Sequence, residues 1–166
     1  MMHFLRRYGV RSTIGLVLLV CVYGSVSKFI TYQRELAICL KIRTLGGYTG
    51  MEYRGPAWIP ESLQADLKVF WSVTDVYLGN HLPPDLAPLG IIDNSRVADT
   101  EIKNLLGLSE LVSVDLSGAP ITDAAIEDLR QMRSLEEIDL MDTQTTPAGR
   151  DRLRKALPNC KISPSP

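Results

Sequence analysis

Three stretches of this chain fall on one another when the sequence is shifted by 24 residues, and that recurrence limits the fold more than any other feature. "VADTEIKNLLGLSEL" from Val97, "ITDAAIEDLRQMRSL" from Ile121 and "TTPAGRDRLRKALPN" from Thr145 superpose. Leu105, Leu129 and Leu153 coincide, as do Leu108, Met132 and Ala156, while Ile102 and Ile126 meet Arg150 in the third copy. The intervening "LVSVDL" at Leu111–Leu116 matches "LEEIDL" at Leu135–Leu140, both in the pattern L-x-x-L-x-L. "VTDVYL" at Val73–Leu78 keeps that pattern with Val substituted. "LGIID" near Leu89 is a weaker copy, and "NCKI" closes the array at Ile162.

In L-x-x-L-x-L the apolar residues point into a core and the residues between them stand on an exposed sheet face. Thr122 and Thr146 are suited to cap helices, Pro147 to a first helical position, and Asp99 and Asp123 to the positive end of a helix. Each helix then buries one side, with Ile126, Leu129 and Met132 in the middle copy. No such unit covers its apolar face alone, so stacking is required. The expectation is an α/β fold: a short solenoid over residues 70–162, with parallel strands on the concave side and helices on the convex side.

These residues resemble the leucine-rich-repeat family, in the variety whose units carry "ITD…I..L..…L..L.L". The likeness to small single-anchor bacterial members extends further, through "KIRTLGGYTGMEY", "RGPAWIP" and "ALPNCKI", to about residues 36–162. The resemblance implies recognition of a protein or other ligand by the concave strands and no conserved catalysis. The segment from Gly79 to Ser95, with "HLPPDLAPLG", departs from the pattern.

Before the array the chain opens with Arg6, Arg7 and Arg11 and then runs uncharged from Ser12 to Ser27. Extended to Ile30 the run has nineteen residues, about 28 Å of helix, close to a bilayer core of about 30 Å. Lys28 at its end can snorkel to the interface. The expectation is a single-pass transmembrane anchor over 12–30, after a cytoplasmic basic tail at 1–11. The positive-inside rule then puts the repeats outside the cytoplasm. A cleaved secretory signal, with the small residues Ser25 and Ser27 before the cut, is the competing reading, and it yields a secreted repeat protein.

Residues 31–69 read as a juxtamembrane helix and N-terminal cap. A helix from Thr31 to Leu45 stops at Gly46–Gly47, a short strand covers "YTGMEY", and Pro60 opens a short helix to Leu67. Residues 163–166 form a tail. Cys21, Cys39 and Cys160 show neither redox-pair nor metal-ligand spacing. Small buried hydrophobes is the preferred reading for them, and a Cys39–Cys160 disulfide stays open.

Charge is segregated along the chain. Val73 to Thr145 carries 14 acidic against 4 basic side chains, a net of −10, whereas Thr146 to the end carries 5 basic and 1 acidic. An acidic array argues against nucleic acid as a partner. His3 and His81 lie far apart, no phosphate-cradling glycine loop occurs, and no nucleophile has a base in reach of a known motif. No catalytic, cofactor or metal site is expected. The candidate binding residues are those the strand pattern turns toward the concave face: Asp75, Tyr77, Ser113, Asp115, Glu137 and Asp139, with Asp142 just beyond. Strands about 4.8 Å apart make a carboxylate ladder of them, suited to a cationic protein partner or a loosely held divalent ion. The basic residues Arg150, Arg152, Arg154 and Lys155 are read as the solvent side of the last helix. The expected function is a membrane-anchored, non-catalytic binding module. A structural envelope spacer acting by self-association is the alternative, and the sequence leaves the oligomeric state open.

Overall fold

A computed structural model describes the backbone of residues 2–80 and 93–165, and the side chains of residues 20, 22–80 and 93–165. His81 and the weak copy near Leu89 lie outside the described residues.

The sheet is made by the alternating segments. Five strands lie in the order β1 (Tyr48–Tyr53), β2 (Trp71–Tyr77), β3 (Ser113–Asp115), β4 (Glu137–Asp139) and β5 (Lys161–Ser163). β2 through β5 are parallel, whereas β1 runs antiparallel to β2. Helices α3 (Asp99–Leu105), α4 (Ile126–Leu129) and α5 (Pro147–Ala156) occupy the connections between the parallel strands. A short helix α2 (Glu61–Gln64) and a 3-10 turn at Lys68–Phe70 lead into β2.

One side of this sheet carries the core. Val73, Val76 and Leu78, Val114 and Leu116, Ile138 and Leu140 are each 1% exposed or less. They pack against Ile102 and Leu105 of α3, Ile126 and Leu129 of α4, and Leu153 of α5 in one contiguous cluster. Val73 and Val76 both point inward although three positions apart, because β2 carries a bulge: Asp75 pairs with Gly50 and Val73 with Met51, leaving Thr74 unmatched. A bulge of this kind resets the alternation of a strand.

The connections are tied to one another by aspartates. Asp99 accepts from both the backbone N–H and the hydroxyl of Thr122, at 2.7 and 2.6 Å. Asp123 accepts from the same two groups of Thr146, at 2.8 and 2.7 Å. Thr146 in turn caps α5, its Oγ1 accepting from Gly149 N at 3.0 Å. A Cβ at position 149 would lie 2.2 Å from Asp123 Oδ1, so glycine is what allows the two segments to approach.

α1 spans Met2–Thr44 as one helix and ends where Gly46 adopts φ 85°, with Gly47 N donating to Ile42 O at 3.0 Å. Its last turns dock on the body through Glu35, Cys39 and Ile42, all buried, and Lys41 pairs with Glu101 of α3 at 2.8 Å. Upstream, Val22, Tyr23, Val26, Phe29 and Ile30 are exposed.

Two expectations are corrected by this architecture. No solenoid is indicated. The strands belong to one five-stranded mixed sheet with an antiparallel first strand, and the helices between them have 7, 4 and 10 residues. The leucine-rich-repeat solenoid is therefore replaced by an α/β fold on a mixed sheet, in which the strands within 70–162 are parallel and the strand of the N-terminal segment is antiparallel. Nor is any helix among the described residues long and apolar enough to cross a membrane. The apolar run is part of a helix that continues unbroken through Lys28, Arg34, Glu35, Lys41 and Arg43, so the transmembrane, single-pass and signal-anchor reading of 12–30 is withdrawn. The cytoplasmic N-terminus and extracytoplasmic repeats, which rested on that anchor, are withdrawn with it. The side chains of the expected basic tail at 1–11 lie outside the described residues.

Candidate functional site

The face of the sheet away from the core is ordered by register into two rows. One row runs Gly50, Asp75, Ser113, Glu137, Lys161, and the next runs Tyr48, Tyr77, Asp115, Asp139, Ser163. Six of the seven candidate residues stand in these rows, about 4.8 Å from their neighbours across strands. Asp142 stands beyond β4 in the turn that follows it, exposed and at φ 56°.

The carboxylates in the rows are not equivalent. Asp115 is 6% exposed, and its Oδ1 accepts from Ser117 N at 2.8 Å. Asp139 makes the matching turn, accepting from Met141 N at 2.8 Å. Both therefore commit an oxygen to the turn that ends their own strand, as Asp commonly does two residues before a turn amide. Asp75 is half-buried and accepts from the Thr74 hydroxyl at 2.7 Å, its carboxyl lying where a Cβ at Gly50 would stand. Glu137 projects furthest, and its Oε1 meets Lys161 Nζ at 2.6 Å. The Glu137 carboxylate holds the Lys161 ammonium above its ordinary value, first by accepting its hydrogen bond and then by charge. An exposed pair of this kind is worth about 0–1 kcal/mol, so its consequence is the charge pattern rather than stability.

The expected ladder of acids is thus a mixed-charge face, with four carboxylates in the rows and one ammonium at the β5 edge. Lys161, Ser163 and Tyr48 were missing from the sequence reading. The first two were within reach of it, since Lys161 is one further step of 24 from Glu137. Tyr48 was not, because nothing in a short strand announces antiparallel pairing with β2. No group of three His, Cys, Asp or Glu able to hold a metal ion occurs among the described residues.

The two described cysteines are free thiols, Cys39 buried and Cys160 half-buried. Burial pushes the Cys160 thiol up to about 11, with Glu137 and Glu136 adding to the shift. It is protonated at neutral pH and a poor nucleophile. The three arginines of α5 have partners within the chain, Arg152 with Asp123, Arg154 with Asp151, and Arg150 with Thr145 O, while Lys155 is exposed.

No protein-family model matches the chain, and no curated protein matches it at a significant level.

Proposed function

We propose that this chain is a non-catalytic binding module that meets a protein partner with the outward face of its sheet. The observation that carries the reading is the register of the four parallel strands, which lines up Asp75, Ser113 and Glu137 with Lys161, and Tyr77, Asp115 and Asp139 with Ser163. Such rows offer a rigid polar surface whose charges are fixed by backbone pairing, and rigidity limits the entropy lost on binding. The partner is cationic where it meets Asp75 and Glu137 and acidic or amide-rich where it meets Lys161. Complementary charges of this kind set specificity and association rate more than raw affinity.

Exchanging the last two residues of one row tests this. Glu137→Lys together with Lys161→Glu keeps the internal ion pair but moves its positive end inward by one strand. A binding module loses capture of its partner at least tenfold in this double variant, while the thermal midpoint is unchanged. Undiminished capture in a folded variant would refute the proposal.

A further inference from the structure

A second surface, on the α1 side of β1, has a different chemistry. The end of α1, β1, α2 and the start of β2 enclose an open groove of about 470 Å³ lined by Tyr32, Leu36, Met51, Ala65, Lys68 and Trp71. That lies within the range of about 300–1,000 Å³ of small-molecule sites. The walls are apolar, and three features make them so. Leu36 is 40% and Met51 38% exposed, which leaves two large apolar side chains open to the groove. Trp71 donates its indole N–H to Gln64 O at 2.9 Å, so its polar atom is used and its ring is the surface it offers. Tyr53 packs edge-on against that ring, with centroids 6.3 Å apart, and holds it in place.

Two polar groups in the groove have no partner among the described residues. Among the described residues Lys68 makes no ion pair and Tyr32 no hydrogen bond. An ammonium and a phenol donate to a carboxylate, and together with one charge they match a monoanion. A neutral apolar ligand would use the walls and leave both donors idle, while a cationic amphiphile would meet Lys68 with like charge.

We propose that this groove binds a small amphiphile with an apolar body and a carboxylate head, of the class of medium-chain carboxylic acids. The chain lies along Leu36, Met51 and Trp71, and the head meets Lys68 with Tyr32 as second donor. The acid row of the opposite sheet face takes no part.

The test titrates octanoate and decanoate, below their micellar concentrations, and 1-decanol, below its solubility, into the full chain. Trp58, 82% exposed, is first replaced by Phe so that Trp71 is the sole indole reporter. Decanoate saturates the signal, and octanoate binds about fifteenfold more weakly, since each buried methylene is worth about a factor of four. Lys68→Met weakens decanoate about fivefold, in the range of a single solvent-facing charge pair, and leaves decanol unchanged. Met51→Glu, or Leu36→Glu if that variant does not fold, removes binding of both. The proposal is overturned if decanoate does not saturate. It is equally overturned if Lys68→Met leaves decanoate unaffected, or if the groove variants bind normally, which would assign the signal to adsorption on exposed α1 residues such as Phe29.

Discussion

Asp123 and Glu35 are two carboxylates that the fold treats in opposite ways. The Thr146 backbone N–H and hydroxyl both donate to Asp123, with Arg152 nearby, and hold its carboxyl below the usual carboxylate range. The folded state therefore favours its ionised form. That contribution is complete above the unfolded value of about 3.9 and is lost as pH falls through the depressed folded value. Glu35 is 1% exposed; its Oε2 accepts from Val73 N at 3.2 Å, while its Oε1 has no hydrogen-bond partner among the described residues. Burial raises its carboxyl, Glu110 raises it further, and the Val73 N–H and Lys28 oppose the rise. The fold here favours the protonated form, so its contribution is complete below the unfolded value of about 4.3 and is lost as pH rises through the folded value. Thermal midpoints measured against pH separate the two. Asp123→Ala lowers stability by about 1–2 kcal/mol at neutral pH and flattens the acid side of the profile, while Glu35→Gln flattens the side above it. Asp142 is a third case: at φ 56° a β-branched residue is strained, so Asp142→Val costs about 1–2 kcal/mol and Asp142→Gly costs nothing or stabilises, as denaturant midpoints will report. Thr146 as the cap of α5 and Asp99 in the first turn of α3 were visible in the sequence, whereas Thr122 and Asp123 lie ahead of α4, which begins at Ile126 with no side-chain cap. That each aspartate reaches forward to the next threonine, 23 residues on, was not visible, because only parallel stacking brings those positions together.

Among the elements, α1 has two regimes. Between Tyr23 and Ile30 its described apolar side chains are exposed, and from Glu35 onward it is docked. Tyr23→Ala and Val26→Ala are expected to change stability by no more than about 0.5 kcal/mol. Ile42→Ala, at a site 2% exposed, costs about 2–5 kcal/mol; chemical denaturation of the three variants checks the contrast. The same magnitude applies to Ile138→Ala in β4, fully buried among α4 and the neighbouring strands. The end of α1 was legible because Gly46–Gly47 stops a helix by backbone geometry alone. The inward set on β3 and β4 was legible because a strand alternates with period two. The bulge in β2 and the antiparallel pairing of β1 were not, since both depend on which strand lies alongside. The anchor reading rested on the length and apolarity of residues 12–30, and no helix among the described residues is long and apolar enough to cross a membrane.

Taken as one molecule, the chain is an open mixed sheet with a core on one side and two ordered polar rows on the other. The sequence located most of the row residues but misjudged their charge, because a ladder counted from acids alone omits the ion pair that closes it at Lys161. What the rows do is a matter of surface, and crosslinking reads surface directly. Photoreactive residues are placed one at a time at Ser113 and Glu137 in the rows, and at Glu127 of α4 and Lys155 of α5 on the helix side, and illuminated in the native host. The account predicts one discrete heterologous adduct from positions 113 and 137, and none from 127 and 155. Adducts formed only from the helix side, equally from both sides, or only between copies of this chain would contradict it.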